Sequence, residues 1–109
     1  MNVGALQDAI ALFAAERQWP QFHTPKNLSS ALVVEAAELL EIFQWLTPEE
    51  SQAVMSDPAQ VEAVRDEVAD VAIYLLQLAR QLDIDLEQAI EAKMRKNAAK
   101  YPAPETPAS

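Results

Sequence analysis

Apolar residues along this chain recur three and four positions apart and never settle into the alternation of a strand. Ala5, Leu6, Ile10, Phe13 and Ala14 form one such stripe, predicting a helix from about Val3 to Gln18 that stops before Pro20. A second stripe follows Pro25 and runs from about Leu28 to Trp45, where Thr47-Pro48 ends it. Thr47-Pro48 is itself a start signal, a capping hydroxyl followed by proline at the first helical position, for a short turn reaching Met55. Asp57-Pro58 repeats that signal and opens a third long helix to about Leu82. The fourth starts near Asp85 and fades by Lys100, before Pro102. Helices joined by short loops pack antiparallel, so the reading is an all-α bundle of four main helices over residues 1–101. Pro102 to Ser109 holds three prolines and no large apolar group, and is expected to be a disordered tail.

The stretch Val68 to Ala79 is apolar nearly all round. One small bundle cannot cover every side of such a helix, so a second subunit is expected to do so, as a homodimer or dimer of dimers. Ile73 and Leu76 are the residues expected to face that neighbour.

Composition narrows the classes. Half of the 109 residues are apolar and only one is glycine, which favours helix and supplies enough core for one domain. Cysteine is absent, excluding disulfides and thiolate-bound metals and agreeing with a reducing, cytoplasmic setting. No basic leader and no apolar run of about 18 residues is visible, so no membrane partner is expected. A net charge of −9 argues against a nucleic acid polymer, which demands a basic footprint. A small phosphorylated ligand remains open, because a bound divalent cation can supply the attraction.

That cation has candidate ligands. Glu35, Glu38 and Glu41 are spaced by three, each step turning back about 60° around the helix. Glu35 falls amid Leu28, Ala31, Leu32, Leu39, Ile42, Phe43 and Leu46, at the centre of the apolar stripe. Glu38 lies on its flank, and Glu41 near the solvated outside. On the next long helix Glu67 sits beside Val71, Tyr74 and Leu78, with Asp70 one step further round. Uncompensated ionised carboxylates in an apolar setting are costly, and converging ones repel, unless a cation lies between them. With all-oxygen ligation that cation is hard, and a carboxylate cage fed by phosphate oxygens is the habit of Mg²⁺. A di-iron bundle would want Glu-x-x-His on two helices, and the single histidine, His23, lies outside both pairs.

The run NLSSALVVEAAELLEIFQW, from Asn27 to Trp45, with EVADVAIY from Glu67 to Tyr74, closely resembles the MazG-like all-α nucleoside triphosphate pyrophosphohydrolases. FAAERQWPQFHTPKN and KMRKNAAKYP are similar to the dCTP pyrophosphatase branch of that family, so the resemblance covers nearly all of the chain before the proline-rich tail. The resemblance implies hydrolysis of a nucleoside triphosphate, dCTP or a modified pyrimidine, to monophosphate and pyrophosphate with Mg²⁺. It implies Glu35, Glu38, Glu67 and Asp70 as metal ligands; it does not fix the general base, for which Glu38 is favoured because it flanks the apolar stripe and Glu35 lies at its middle. Val34 stands where many members carry the first Glu of the signature, and Ala37 replaces a frequent glycine.

The resemblance also implies a substrate pocket. Trp19, His23, Trp45 and Tyr74 match positions that line the base site, where aromatic faces stack on bases. Lys93, Asn97 and Tyr101 match a closing motif that meets phosphates, and Lys93 and Asn97 share a helix face. Arg95 points elsewhere. A competing reading is a catalytically silent helical dimer that serves as an interaction module.

Overall fold

The computed structural model describes residues 1–105. It contains α1 (Val3–Glu16), α2 (Pro25–Phe43), the short α3 (Pro48–Gln52), α4 (Pro58–Gln81) and α5 (Leu86–Lys100), with single 3₁₀ turns at Pro20–Phe22 and Val54–Ser56. No strand occurs among the described residues. Residues 106–109 of the expected tail lie outside them, and residues 102–105 carry no helix.

Side-chain caps set the helix starts. Asn2 Oδ1 accepts from the Ala5 amide at 2.9 Å, Thr24 Oγ1 from Asn27 at 3.1 Å and Asp85 Oδ1 from Gln88 at 3.1 Å. Thr47 forms a reciprocal box with Glu50, and Asp57 caps the start of α4. Because Thr24 is the cap, Pro25 is the first residue of α2, which therefore starts about one turn earlier than its apolar stripe.

Two helix ends close without glycine. Gln18 and Asp83 take left-handed φ values of 59° and 54°. Each allows the crossed amide bonds that satisfy the last carbonyls: Trp19 to Ala14 and Gln18 to Ala15 at α1, Ile84 to Ala79 and Asp83 to Arg80 at α4.

The centre of the fold is the pairing of α2 with α4, and α1 packs along α4. Leu28 of α2 (1 % exposed) is the most buried side chain, and Ala14 of α1, Val54 of the second 3₁₀ turn and Val64, Leu76 and Ala79 of α4 are buried with it. Gln7 Nε2 donates to the Leu76 carbonyl at 2.9 Å, fastening α1 to α4. Leu76 is 6 % exposed, which corrects the expectation that it faces a neighbouring subunit. It closes the contact inside the chain, while Val68, Ile73 and Leu75 on other sides of α4 remain exposed. No helix among the described residues is long and apolar enough to cross a membrane.

One chain leaves much apolar surface uncovered. Its accessible area is 8528 Å², against about 6,000 Å² for a compact protein of 12.0 kDa. Its radius of gyration is 17.4 Å, where about 13 Å is usual for this length. Exposed large apolar side chains include Val33, Val34 and Leu40 on α2 and Ile90 and Met94 on α5.

Leu28→Ala should remove about 3 kcal/mol of stability, since the side chain is enclosed and the seam of long helices cannot collapse into the gap. Urea unfolding should show a lower midpoint with an unchanged slope. A midpoint within error of the parent would mean that the α2–α4 seam is not the main source of stability.

Candidate active site

The contact between α2 and α4 is where two acidic faces meet. On α2, Glu35 and Glu38 are one turn apart. On α4, Glu67, Asp70, Tyr74 and Gln77 follow one another at steps of three and four, so they form a single stripe along the helix. Packing these faces together brings one oxygen from each of Glu35, Glu38 and Glu67 within 4.8 Å of the others. Asp70 stands outside this trio, one turn further along α4.

The trio is under electrostatic load. Glu35 Oε2 and Glu67 Oε2 are fully buried and have no hydrogen-bond partner. Two carboxylates have only acceptors to offer each other, so a proton or a cation must sit between them. A hydrogen bond shared with Glu67, then burial, then Glu38 push the Glu35 carboxyl up to about 7. The same shared hydrogen bond lowers Glu67, yet burial, Glu38 and the charge of Asp70 outweigh it and leave Glu67 raised. The donor set fits a hard divalent ion: oxygen only, three convergent carboxylates, and two buried oxygens without other partners.

One hollow is lined by members of this cluster, and a second by the neighbouring Asp70. Glu38 and Glu67 line an open cleft of about 480 Å³ together with Glu41, Ile42 and Gln60. Glu41 is exposed there, as expected of a solvated group. On the other side, between α1 and α4, lies a hollow of about 510 Å³, in the range of small-molecule sites. Leu6, Ile10 and Phe13 of α1 make its apolar wall, and Asp70, Tyr74 and Gln77 of α4 make its polar one.

Trp19 and His23 complete this second hollow, and the end of α1 puts them there. The left-handed turn at Gln18 folds Trp19 back so that its ring meets Phe13 edge-on at 5.6 Å, the apolar contact that accompanies this type of helix end. His23 stands 6.3 Å from Trp19, ring centre to ring centre. The short loop is tied down on both sides. Asn27 donates to the Phe22 carbonyl at 2.9 Å, and Gln81 of α4 donates to the carbonyl of His23.

Of the residues singled out from sequence, the single chain brings together Glu35, Glu38 and Glu67, and places Asp70, Tyr74, Trp19 and His23 around the neighbouring hollow. It does not bring in Trp45, which is 86 % exposed beyond the end of α2. Lys93 and Asn97 on α5, and Tyr101 just after it, border neither hollow. Gln77 was missed by sequence reasoning. Its Oε1 is buried without a partner, a condition that costs about 1–3 kcal/mol when nothing fills it. The signal was available in its spacing of three from Tyr74 and seven from Asp70.

Residues 31–108 match the model of the MazG-like family. The protein named dCTP pyrophosphatase 1 is 47 % identical in Bos taurus over 92 residues, 84 % of this chain and 54 % of that protein. In Homo sapiens it is 47 % identical over 93 residues, 85 % of this chain and 55 % of that protein. The chain thus spans about half the length of these relatives. The solved structure of a pyrophosphatase from Archaeoglobus fulgidus superposes with a TM-score of 0.86 at 40 % identity, covering 94 % of each chain.

The raised carboxyl has a signed consequence. Folded Glu35 holds its proton up to about 7, whereas an ordinary glutamate has released it near 4.5. The folded state therefore binds the extra proton, and its contribution to stability, complete below 4.5, is lost as pH rises toward 7. In EDTA, the parent should melt at a lower temperature at pH 8 than at pH 5, and Glu35→Gln should shrink that difference. Equal pH dependence in parent and variant would show that Glu35 does not carry the load.

Proposed function

Because this chain belongs to the MazG-like family, we propose that it is a divalent-ion-dependent nucleoside triphosphate pyrophosphohydrolase. The proposed substrate is dCTP or a modified pyrimidine deoxynucleotide, cut to the monophosphate and pyrophosphate. The observation that carries this reading is one stripe of α4 that joins the carboxylate cluster to the apolar, aromatic-edged hollow. Acidic groups suit the metal-bound end of a nucleotide, and the hollow beside them suits its base.

Each residue then has a task. Glu35, Glu38, Glu67 and Asp70 would hold Mg²⁺, which when bound neutralises the phosphates and polarises their oxygens. Glu35 must give up its proton to take part, so the site favours the loaded state above about pH 7. Glu38, facing the open cleft, is assigned to take the proton from the water that attacks the α-phosphorus. Trp19 and Tyr74 offer ring faces to the base, and the apolar wall of Ile10 and Phe13 excludes water around it.

Assembly belongs to the same proposal. The uncovered apolar residues of α2 and α5 suit a second copy of the chain, and a second copy is also the way for Lys93, Asn97 and Tyr101 to reach a phosphate. The corrected choice of interface residues is Val33, Leu40, Ile90 and Met94 in place of Leu76.

Incubation with Mg²⁺ and dCTP, followed by ion-exchange chromatography, should give dCMP and pyrophosphate. A dCDP peak would place the attack at another phosphorus, and no product from any nucleotide would favour a silent helical module. Glu35→Gln, Glu38→Gln, Glu67→Gln and Asp70→Asn should each lower turnover about a hundredfold or more, with helical circular dichroism retained. Glu41→Gln should stay substantially active. Near-parental activity in any of the four would remove that residue from the site.

Light scattering of the parent should report a dimer or larger. Leu40→Asp, placing an unpaired charge in the covered face, should give smaller or aggregated species. A monomeric parent at micromolar concentration would contradict the assembly.

A further inference from the structure

We propose that Gln77 reads the edge of the base, its amide oxygen accepting a hydrogen bond from the exocyclic amino group of cytosine. The inference rests on the nucleotide-hydrolase reading above and supplies the base discrimination that reading leaves open. Gln77 lies on α4 one turn beyond Tyr74 and two beyond Asp70, on the same face. The rise from Asp70 to Gln77 is about 10 Å along the helix. A nucleotide with its phosphates at the carboxylates and its base beside Tyr74 therefore ends with the base edge near Gln77.

The state of the amide says what kind of edge it awaits. Gln77 borders the hollow of about 510 Å³, and its Oε1 is buried with no donor from the protein. The other amides of this region are occupied: Gln7 Nε2 donates to the Leu76 carbonyl and Gln81 Nε2 to that of His23. Gln77 alone of these three has a buried oxygen left without a partner. An orphan acceptor in a largely apolar hollow selects a ligand that brings a donor. Cytosine presents its amino group there, with the ring nitrogen N3 beside it as an acceptor for the amide's own N–H. Uracil and thymine present a carbonyl oxygen where cytosine has the amino group, with N3–H beside it, so they pair only with an amide turned over from the orientation in which its oxygen occupies the buried position. A site built around such a bond discriminates far more strongly than one built on shape, because the wrong base leaves the polar group unpaired.

The test compares dCTP with dUTP in the parent, Gln77→Leu and Gln77→Glu, with Mg²⁺, and dCMP with dUMP binding by calorimetry. The parent should prefer the cytosine nucleotide in both kcat/KM and affinity. Gln77→Leu keeps the bulk and loses the acceptor, so the ratio of the two kcat/KM values should fall by about tenfold or more. Gln77→Glu keeps an acceptor at the same reach but loses the N–H that faces N3, so its preference should fall between those of the parent and Gln77→Leu. The proposal is overturned if Gln77→Leu lowers both substrates equally, if Gln77→Glu loses the preference as fully as Gln77→Leu, or if the parent does not distinguish the bases. Should Gln77→Leu fail to fold, the parent's monophosphate affinities and the Gln77→Glu ratio decide. A parent that hydrolyses nucleotides without base preference defeats this inference alone, whereas one that hydrolyses none defeats the function itself.

Discussion

Glu35 and Glu67 face each other across the packed seam of α2 and α4, each with a buried oxygen that no group of the chain satisfies. Burial of Leu28 on α2 and of Val64 and Leu76 on α4 holds the paired helices together and so forces the carboxylates together. Stability and function pull in opposite directions here. The protein tolerates the repulsion by keeping Glu35 protonated up to about 7, and a divalent ion would remove the need for that proton. The burial that makes the cluster costly is also what gives an ion reason to bind.

The hollow beside the cluster depends on a different device, the way α1 ends. With a single glycine in the chain, the left-handed position falls to Gln18, and the crossed amide bonds that follow turn Trp19 back onto Phe13. A helix terminus thereby places an aromatic ring at the mouth of a pocket. Asn27 and Gln81 hold the loop from either side, so the ring and His23 are fixed by the two helices that flank them.

Much of this was legible in the sequence, for identifiable reasons. Thr47-Pro48 and Asp57-Pro58 announce their helices because cap and proline act locally, and the caps form as expected. Glu35 was legible because a charge at the centre of an apolar stripe violates the periodicity around it. Local pattern is silent about which side of α4 meets α1, which is why Leu76 was assigned outward and is found inside. It is also silent on where α5 lies, so the spacing of Lys93 and Asn97 locates a shared face but not what that face meets. Gln77 escaped notice because an amide on a helix has no motif; only its buried, unpartnered oxygen marks it out.

The central claim, that the carboxylate cluster is held in readiness for a divalent ion, is tested most directly by proton release. Titration of Mg²⁺ into the protein by calorimetry near pH 6, in buffers of different ionisation enthalpy, counts the protons displaced on binding. The account predicts binding with release of a proton by the parent, and loss of that release in Glu35→Gln. Binding whose heat is independent of buffer, or no binding at all, would contradict it.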